Sequence, residues 1–275
     1  MPWFPEFVGA VELARRQTRA AGRADPVRQY FAALTEGDAR LLEAAWPGEV
    51  VVYDPRAGEV RGHRALRRFI RRNVSWLAAR HARTEIVATT SADGRAVVEL
   101  LAHLAGDAPD VAWPVAVVAE SPDELWVVFR TYCSQWPVDG RRHLRPAILP
   151  AGPPPPADVV GRFAAATDVG DADAVVATFA PDGYYQEALG GRPVHRGADA
   201  LRSFFTDRFR AGGIGVEHCV VTDDDVRCAV ECNYVRWGRD EVVPQAALGV
   251  YERGADGLLA AARVYDDIEP PAAIH

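Results

Sequence analysis

The chain has 275 residues, of which 49% are hydrophobic and 25% charged, as in an ordinary globular protein. No apolar run approaches the roughly 20 residues that a membrane-spanning helix needs, so we expect no membrane partner. The formal net charge of −7 argues against a nucleic-acid-binding surface, which requires clustered positive charge.

Residues 1–26 carry apolar side chains at roughly helical spacing, which predicts an N-terminal helical extension that docks onto the body of the protein. A helix that binds a partner is the alternative. Glu6, Glu12 and Arg15 interrupt the apolar stretch, unlike the uninterrupted hydrophobic region of a secretory signal. We therefore expect a cytoplasmic protein.

The next hundred or so residues run from helices to strands. Apolar residues at helical spacing predict three helices, at 27–34, 39–46 and about 63–79. Gly37 can close the first of these helices, and Asp38 can cap the second. Strands are indicated at 50–54, 84–90, 96–104, 111–119 and 125–132. Helices followed by antiparallel strands predict an α+β domain.

The second half of the sequence repeats the first. Residues 30–39 align with 163–172, and 130–132 align with 263–265, both at an offset of 133 residues. Residues 62–66 align with 197–201, and Glu85 and Glu99 align with Glu217 and Glu231. Four separated segments in the same order indicate a tandem duplication.

A proline-rich segment separates the two copies. Residues 146–157 include four consecutive prolines, which favour an extended, semi-rigid spacer. The sequence therefore predicts a first domain at 27–145, a linker at 146–157 and a second domain at 158–275.

The segments 30–38 and 52–55, with Gly62 opening a helix, resemble ketosteroid isomerase and the wider SnoaL-like superfamily of nuclear transport factor 2-like proteins. The resemblance implies two cone-shaped α+β barrel (cystatin-like) domains in tandem, each with a curved antiparallel sheet covered by its N-terminal helices. It also implies that Tyr30 donates a hydrogen bond to an enolate oxygen and that Asp54 is the general base. Tyr30 as a core residue and Asp54 as the start of a turn are the alternatives.

The sequence departs from a steroid isomerase at the remaining positions that the family uses. The late strand at 113–117 contains no acid, and the second copy has Phe163 and Glu187 where the first has Tyr30 and Asp54. A true steroid isomerase is therefore disfavoured.

The chain is also similar to the tandem epoxide hydrolase/cyclases of polyether biosynthesis. That resemblance implies two acid and base pairs, Asp54 with Glu85 and Glu187 with Glu217. Two carboxylates in one pocket tend to split their pKa values, as such a pair requires. Because strand side chains alternate, Glu85 and Glu217 can equally face solvent.

A third site follows from the resemblance to SnoaL-type polyketide cyclases, which carry an acid after the last strand. In the second copy this acid is Asp267 or Asp266, whereas the first copy has Cys133 and Ser134 there. A solvated strand end is the alternative. The candidate substrate-binding residues are Trp76, His103, Trp113, Tyr185 and His195; core or interface roles are the alternative.

The sequence contains no phosphate loop, nucleophile elbow, dinucleotide fingerprint or metal-ligand spacing, so we expect no cofactor and no metal. These features favour a cofactor-independent isomerase, cyclase or epoxide hydrolase that acts on a hydrophobic, oxygenated small molecule in secondary metabolism. A non-catalytic binding or assembly protein is the alternative. The unequal copies favour one catalytic and one structural copy, with the first as the better catalytic candidate. Pairing of the two domains within the chain or a homodimer is expected.

Overall fold

The computed structural model describes residues 23–105, 110–187 and 194–268. Most of the predicted N-terminal extension lies outside these residues. The first copy contains, in chain order, α1 (Pro26–Glu36), α2 (Arg40–Ala45), β1 (Glu49–Asp54), β2 (Gly58–Arg61), α3 (His63–Ala78), β3 (Arg83–Ala92), β4 (Arg95–Leu104), β5 (Val111–Glu120), β6 (Trp126–Tyr132) and the short α4 (Trp136–Asp139).

The second copy repeats this order. It contains α5 (Val159–Val169), α6 (Ala172–Val176), β7 (Phe179–Gln186), β8 (Val194–Arg196), α7 (Gly197–Arg208), β9 (Ile214–Asp223), β10 (Arg227–Trp237), β11 (Asp240–Arg253) and β12 (Leu259–Tyr265). Two tandem α+β copies of the predicted fold class are therefore confirmed.

Each copy has a six-stranded sheet, in the orders β2-β1-β6-β5-β4-β3 and β8-β7-β12-β11-β10-β9. The sequence predicted antiparallel sheets, but both sheets are mixed. Strand β1 pairs with β6 in parallel, and β7 pairs with β12 in parallel. These partners are far apart in sequence, so no hairpin fixes their relative direction. Alternation within single strands does not reveal such a pairing.

Helix ends follow the same local rules in both copies. Gly37 and Gly170 end α1 and α5 in the left-handed conformation, with φ of 76° and 78°, which glycine adopts at little cost. Asp38 accepts a hydrogen bond from the first backbone N–H of α2, that of Arg40, at 2.9 Å. The predicted role of Gly37 is confirmed, whereas the N-cap residue of α2 is Ala39 and Asp38 lies one position before it.

The chain divides into two compact units, and the boundaries of these units differ from those of the two sequence copies. The first unit takes residues up to 82, 94–96 and 117–131, and the second takes 83–93, 97–116 and everything from 132 onward. The second unit thus contains the whole second copy and part of the first. The domain boundaries at 27–145, 146–157 and 158–275 stay predictions.

Aromatic rings fill the interior of the first unit. Tyr30 stacks on Phe129 with ring centroids 4.4 Å apart and planes 13° apart. Trp46 meets Phe129 edge-on at 6.4 Å. All three rings are almost completely buried, so α1 and β6 are held together by a large apolar contact.

In the second unit, the proline-rich segment is bound to the sheet. The carbonyl of Leu149 accepts a hydrogen bond from the Asn233 side chain at 2.9 Å, and the N–H of Gly152 donates to the carbonyl of His218 at 2.7 Å. A Cβ on Gly152 would lie 1.9 Å from the Cys219 carbonyl oxygen, so only glycine allows this approach. The segment therefore packs along β9 and β10.

Within the described residues, no helix is long and apolar enough to cross a membrane.

Candidate active site in the second copy

The second copy contains a cavity of about 680 Å³. Helices α5 and α7 line it together with alternate residues of β9 and β10, whose side chains point to opposite faces of the sheet in turn. Residues 247–249 and Tyr251 of β11 and the prolines at 154–156 complete the lining. Its apolar wall includes Phe163, Phe205, Phe209, Ile214, Val230 and Val264. Pockets for small molecules typically measure about 300–1,000 Å³, so this cavity has the size of a ligand site.

Three tyrosines, Tyr185, Tyr234 and Tyr251, bring phenol groups to the cavity wall. Burial raises the pKa of each phenol well above its ordinary value, and the nearby charge of Asp266 raises it further. The hydroxyls therefore stay protonated at neutral pH and can donate hydrogen bonds. A Cβ on Gly249 would lie 2.7 Å from the Tyr251 hydroxyl, so glycine leaves the space that this hydroxyl occupies.

Arg208, the last residue of α7, also lines the cavity. Its side chain is 16% exposed, and its nearest carboxylate oxygen, on Glu187, is 4.0 Å away. The guanidinium carbon lies 4.5 Å from the centroid of the Trp237 ring, a cation–π contact. Within the described part of the chain, no atom accepts a hydrogen bond from this guanidinium.

Asp266 directly follows β12 and is 8% exposed. It lies two positions after Val264, a cavity residue. Oδ1 accepts a hydrogen bond from the Ile268 N–H at 3.2 Å, whereas Oδ2 is shielded from solvent and has no hydrogen-bond partner among the described residues. Burial raises the pKa of this carboxyl, although the Arg208 charge opposes the shift. The neutral acid is therefore present at higher pH than in an ordinary aspartic acid.

Both neighbours of Asp266 are fixed by buried hydrogen bonds within the second unit. The Tyr265 hydroxyl donates to Glu99 at 2.7 Å, and Glu99 also receives two bonds from Arg263, at 2.6 and 2.9 Å. On the other side, Asp267 accepts bonds from the Ser134 hydroxyl at 2.7 Å and from two backbone N–H groups, at 3.1 and 2.6 Å. These contacts hold the backbone on both sides of the buried acid.

Asp267, which the sequence proposes as the acid/base group, thus binds the chain segment that follows β6. Asp266, the alternative at that site, is buried, and its charge contributes to the raised pKa of Tyr185 and of Tyr234. Alternation explains the difference, since Tyr265 and Asp267 share one side of the chain and Asp266 lies on the other.

Two other predicted acids of the second copy lie in different surroundings. Glu217 is exposed, whereas its neighbours Val216 and His218 line the cavity, so Glu217 is on the opposite face of β9. Glu187 is 16% exposed and lies 3.2 Å from the Nε2 atom of His195. His195 stacks on Phe204 at 4.0 Å. Glu187 and His195 therefore form a cluster beside Arg208.

In the first unit, Tyr30 and Asp54 lie close enough to interact. Burial, and then the Asp54 charge, raise the pKa of the Tyr30 phenol. The Asp54 carboxylate accepts hydrogen bonds from the N–H groups of Arg56 and Ala57 at 2.9 and 2.8 Å. This carboxylate therefore holds the turn after β1, and Tyr30 is stacked in the core.

The remaining predicted residues have contacts of other kinds. Trp76 lies between the guanidinium groups of Arg56 and Arg80, at 4.0 and 4.1 Å. Glu85 is 70% exposed and lies 3.7 Å from His103. The Trp113 indole donates a hydrogen bond to the Ser134 carbonyl at 2.6 Å. Of the predicted substrate-binding residues, Tyr185 is the one that this cavity includes.

The sequence did not single out Arg208, Tyr234 or Tyr251 as site residues, although they line the cavity together with His218. Burial lowers the pKa of the His218 imidazole, so it is neutral and can accept a hydrogen bond at neutral pH. Side chains alternate along β10 and β11, but the sequence does not show which face of the sheet lines the cavity. Alternation alone could therefore not assign Tyr234 and Tyr251 to it. Arg208 gave no signal, because arginine at a helix end is common.

Two segments of the chain, residues 27–143 and 160–262, match the SnoaL-like domain. They coincide closely with the two copies and cover most of the sequence. No curated protein matches this sequence.

Several solved structures are similar to part of this chain. An LEH-like epoxide hydrolase of M. tuberculosis has 23% identity and a TM-score of 0.34, covering 39% of this chain and 78% of its own. The epoxide hydrolase/cyclase-like enzyme SalBIII, which has a role in pyran ring formation in the polyether salinomycin, has 22% identity and a TM-score of 0.33. The match covers 39% of this chain and 86% of SalBIII. A protein of ketosteroid isomerase-like fold from Catenulispora acidiphila, in complex with trimethylamine, has 18% identity and a TM-score of 0.35, covering 41% and 87%.

Proposed function

This chain belongs to the SnoaL-like domain family, and we propose that it is a cofactor-independent acid/base enzyme acting on a mostly apolar, oxygenated small molecule. The observation that supports this most is the buried carboxyl of Asp266, whose pKa is raised by burial, beside a cavity that carries protonated phenols. A group with this property gains and loses a proton closer to neutral pH than an exposed carboxyl does.

In this proposal Asp266 takes up a proton from the bound substrate and later returns one, so the enzyme is regenerated. The protonated hydroxyls of Tyr185 and Tyr234 donate hydrogen bonds to an oxygen of the substrate. The apolar wall binds the carbon skeleton, and His218 accepts a hydrogen bond from a second oxygenated group.

Proton removal and return of this kind serve isomerisation, ring closure and epoxide opening. We place the reaction in the second copy, because the Asp54 carboxylate already accepts two backbone hydrogen bonds in a turn. The pairs Asp54 with Glu85 and Glu187 with Glu217 stay predictions, and the exposure of Glu85 and Glu217 gives them less support. A role in secondary metabolism, in the cytoplasm, is part of the same proposal.

Hydrogen exchange on a model ketone tests the proposal. The purified chain is incubated in deuterium oxide with 2-tetralone, and deuterium incorporation next to the carbonyl is followed by NMR. A bicyclic epoxide serves as a second probe, with ring opening followed in the same way. We expect the wild type to accelerate one of these reactions and Asp266→Asn to reduce the rate about a hundredfold or more, as for loss of a general acid/base group.

Two matched carboxylate variants complete this experiment. Glu217→Gln alters an acid on the opposite strand face and should leave the rate unchanged, and so should Asp54→Asn. Loss of the rate in Asp54→Asn, but not in Asp266→Asn, would move the active site to the first copy. Binding of both probes without any conversion would contradict the enzyme proposal and indicate a carrier.

A further inference from the structure

Helix α3 of the first unit carries positive charge along its outer side. Its inner side is apolar and buried, with Leu66, Phe69 and Ile70. The helix contains five arginines and one histidine but no acidic residue. Four of the arginines are exposed, and their spacing places them on one side of the helix. These four residues form an arginine stripe: Arg64, Arg68, Arg71 and Arg72.

Within the described residues, the arginine stripe has no carboxylate partner. The fifth arginine of α3, Arg67, does have one, because its Nε donates to Oε1 of Glu43 at 2.7 Å. A helix face that is only solvated commonly carries charges of both signs, so that neighbours one turn apart attract each other. In the stripe, neighbours one turn apart, such as Arg64 and Arg68, repel each other.

The position of the stripe is also unfavourable for the helix itself. Arg64 is the second residue of α3, near the end where the macrodipole is positive and favours acidic side chains. The matching helix of the second copy, α7, has Asp199 in its first turn and Arg208 in its last turn. In α7, Arg202 also pairs with Asp173 at 2.7 Å. Stability of the helix therefore does not explain the stripe.

The sequence of the chain limits which anion fits the stripe. Residues 1–22 contain two glutamates and three arginines, so they are not complementary to it in charge. The stripe extends about 12 Å along the helix at about 1.5 Å per residue. The rest of the protein is acidic, with 11 arginines against 20 acidic residues in 158–275. An extended polyanion such as a nucleic acid duplex would be repelled by this charge, whereas a compact acidic surface contacts the stripe alone.

A membrane surface fits the stripe less well than a protein does. Helices that lie on membranes insert large apolar side chains from the contacting face into the lipid. The apolar residues of α3 named above are buried in the first unit. Trp76, at the end of the helix, lies between the guanidinium groups of Arg56 and Arg80, at 4.0 and 4.1 Å. The outer side of α3 thus offers charge without an apolar anchor.

We propose that the arginine stripe is a docking surface for an acidic helix of a partner protein. Carboxylates one turn apart on such a helix have Cβ atoms about 5–6 Å apart, the same spacing as arginines one turn apart on α3. Each guanidinium can donate two parallel hydrogen bonds to one carboxylate, and binding relieves the repulsion within the stripe. This inference is independent of the proposed function, which concerns the second copy.

A designed acidic helix tests the surface on the full chain. The probe is a labelled peptide of about 20 residues rich in alanine and glutamine, long enough to form a helix, with glutamates at positions i, i+4, i+7 and i+8. The control peptide has the same composition, but its glutamates are distributed around the helix. Binding is followed by fluorescence anisotropy. We expect the probe to bind about fivefold more tightly than the control peptide at low salt, and to dissociate near 1 M salt, where the Debye length is about 3 Å.

Variants of the stripe locate the binding. Arg68→Gln combined with Arg72→Gln should weaken probe binding about tenfold, as for loss of two exposed ion pairs. The corresponding double lysine variant should retain part of the affinity. Arg210→Gln combined with Arg239→Gln changes the net charge equally at two exposed arginines of the second copy and should change the affinity by less than about twofold. The stripe variant should unfold at the same temperature as the wild type or higher, because it removes like charges one turn apart.

The other outcomes overturn the proposal. Failure of the probe to bind, equal affinities for the two peptides, or equal losses in the stripe and control variants would leave no specific docking surface. Tighter binding of duplex DNA or of phosphatidylserine vesicles than of the probe, weakened in the stripe variant, would assign the stripe to a nucleic acid or a membrane. Salt-sensitive self-association in sedimentation velocity that the stripe variant abolishes would assign it to a second copy of this chain.

Discussion

The interiors of the two copies differ although their scaffolds match. In the first copy, Phe129 on β6 stacks against Tyr30 on α1. In the second copy, the matching positions are Ala262 on β12 and Phe163 on α5, and a cavity of about 680 Å³ adjoins Phe163. The second copy therefore has a methyl group where the first has a large buried ring, and the stacked pair of the first copy has no counterpart there.

The matched acids Glu99 and Glu231 extend the comparison. Both are almost completely buried, and each accepts a hydrogen bond of 2.7 Å from the terminal tyrosine of the other copy's last strand: Tyr265 donates to Glu99, and Tyr132 donates to Glu231. The duplication is therefore preserved in the polar contacts of the second unit, while the interiors have diverged.

Removal of Glu99 should have the largest effect on stability. Glu99→Ala leaves the Arg263 guanidinium and the Tyr265 hydroxyl without their main acceptor, and breaking a buried ion pair in this way costs about 3–5 kcal/mol. Denaturant unfolding followed by near-UV circular dichroism measures the change. Glu85→Ala is the control, because Glu85 is 70% exposed and should change the free energy of unfolding by less than about 0.5 kcal/mol. Similar effects for both variants would contradict the importance of the buried pair.

Opening the core of the first copy should have the next largest effect. Phe129→Ala removes a fully buried ring and should lower the free energy of unfolding by about 3 kcal/mol. The space left behind should bind nitrobenzene, as apolar cavities bind apolar molecules, which gives a second site when binding is measured by calorimetry. Trp126→Ala, on the same strand but 44% exposed, should do neither. A Phe129→Ala variant of unchanged stability would mean that the stacked rings do not support the first copy.

The smallest predicted effect is on the pH dependence of stability, and it comes from Asp266 in the second copy. Burial raises the pKa of Asp266, against the opposing charges of Arg208 and Arg142, while the charge of Asp267 adds to the increase. The folded state therefore retains a proton that the unfolded state loses above about pH 4. Stability from this group is complete below that pH and decreases as pH rises through the folded pKa.

Asp266→Asn should remove this pH-dependent loss, as seen in unfolding midpoints measured across the acid range. An unchanged profile for Asp266→Asn would show that this carboxyl is not held in its neutral form.

Periodicity and composition predicted α1, α2 and α3 and five of the six strands of the first copy, because these elements follow short-range rules of apolar spacing and turn residues. The short strand β2 lies where a turn was predicted, and α4 was not predicted. The tandem α+β fold followed from self-alignment and from the resemblance. The parallel pairing of β1 with β6 could not be predicted from alternation, since it joins distant segments.

The candidate site was less predictable than the fold. The sequence indicated the two acids after the last strand, but it could not determine that Asp267 binds the segment after β6. Arg208 was missed altogether, because its importance depends on the absence of an acceptor among the described residues.

The sequence by itself determined that this protein is a duplication, where most helices and strands of the first copy lie, and that the copies differ at positions where related proteins do chemistry. Only the tertiary structure showed the cavity of the second copy. The cavity depends on the summed volumes of side chains from several distant elements, and the pKa of Asp266 depends on burial and on a charge 58 positions earlier in the chain. Neither quantity is a property of a local segment of sequence.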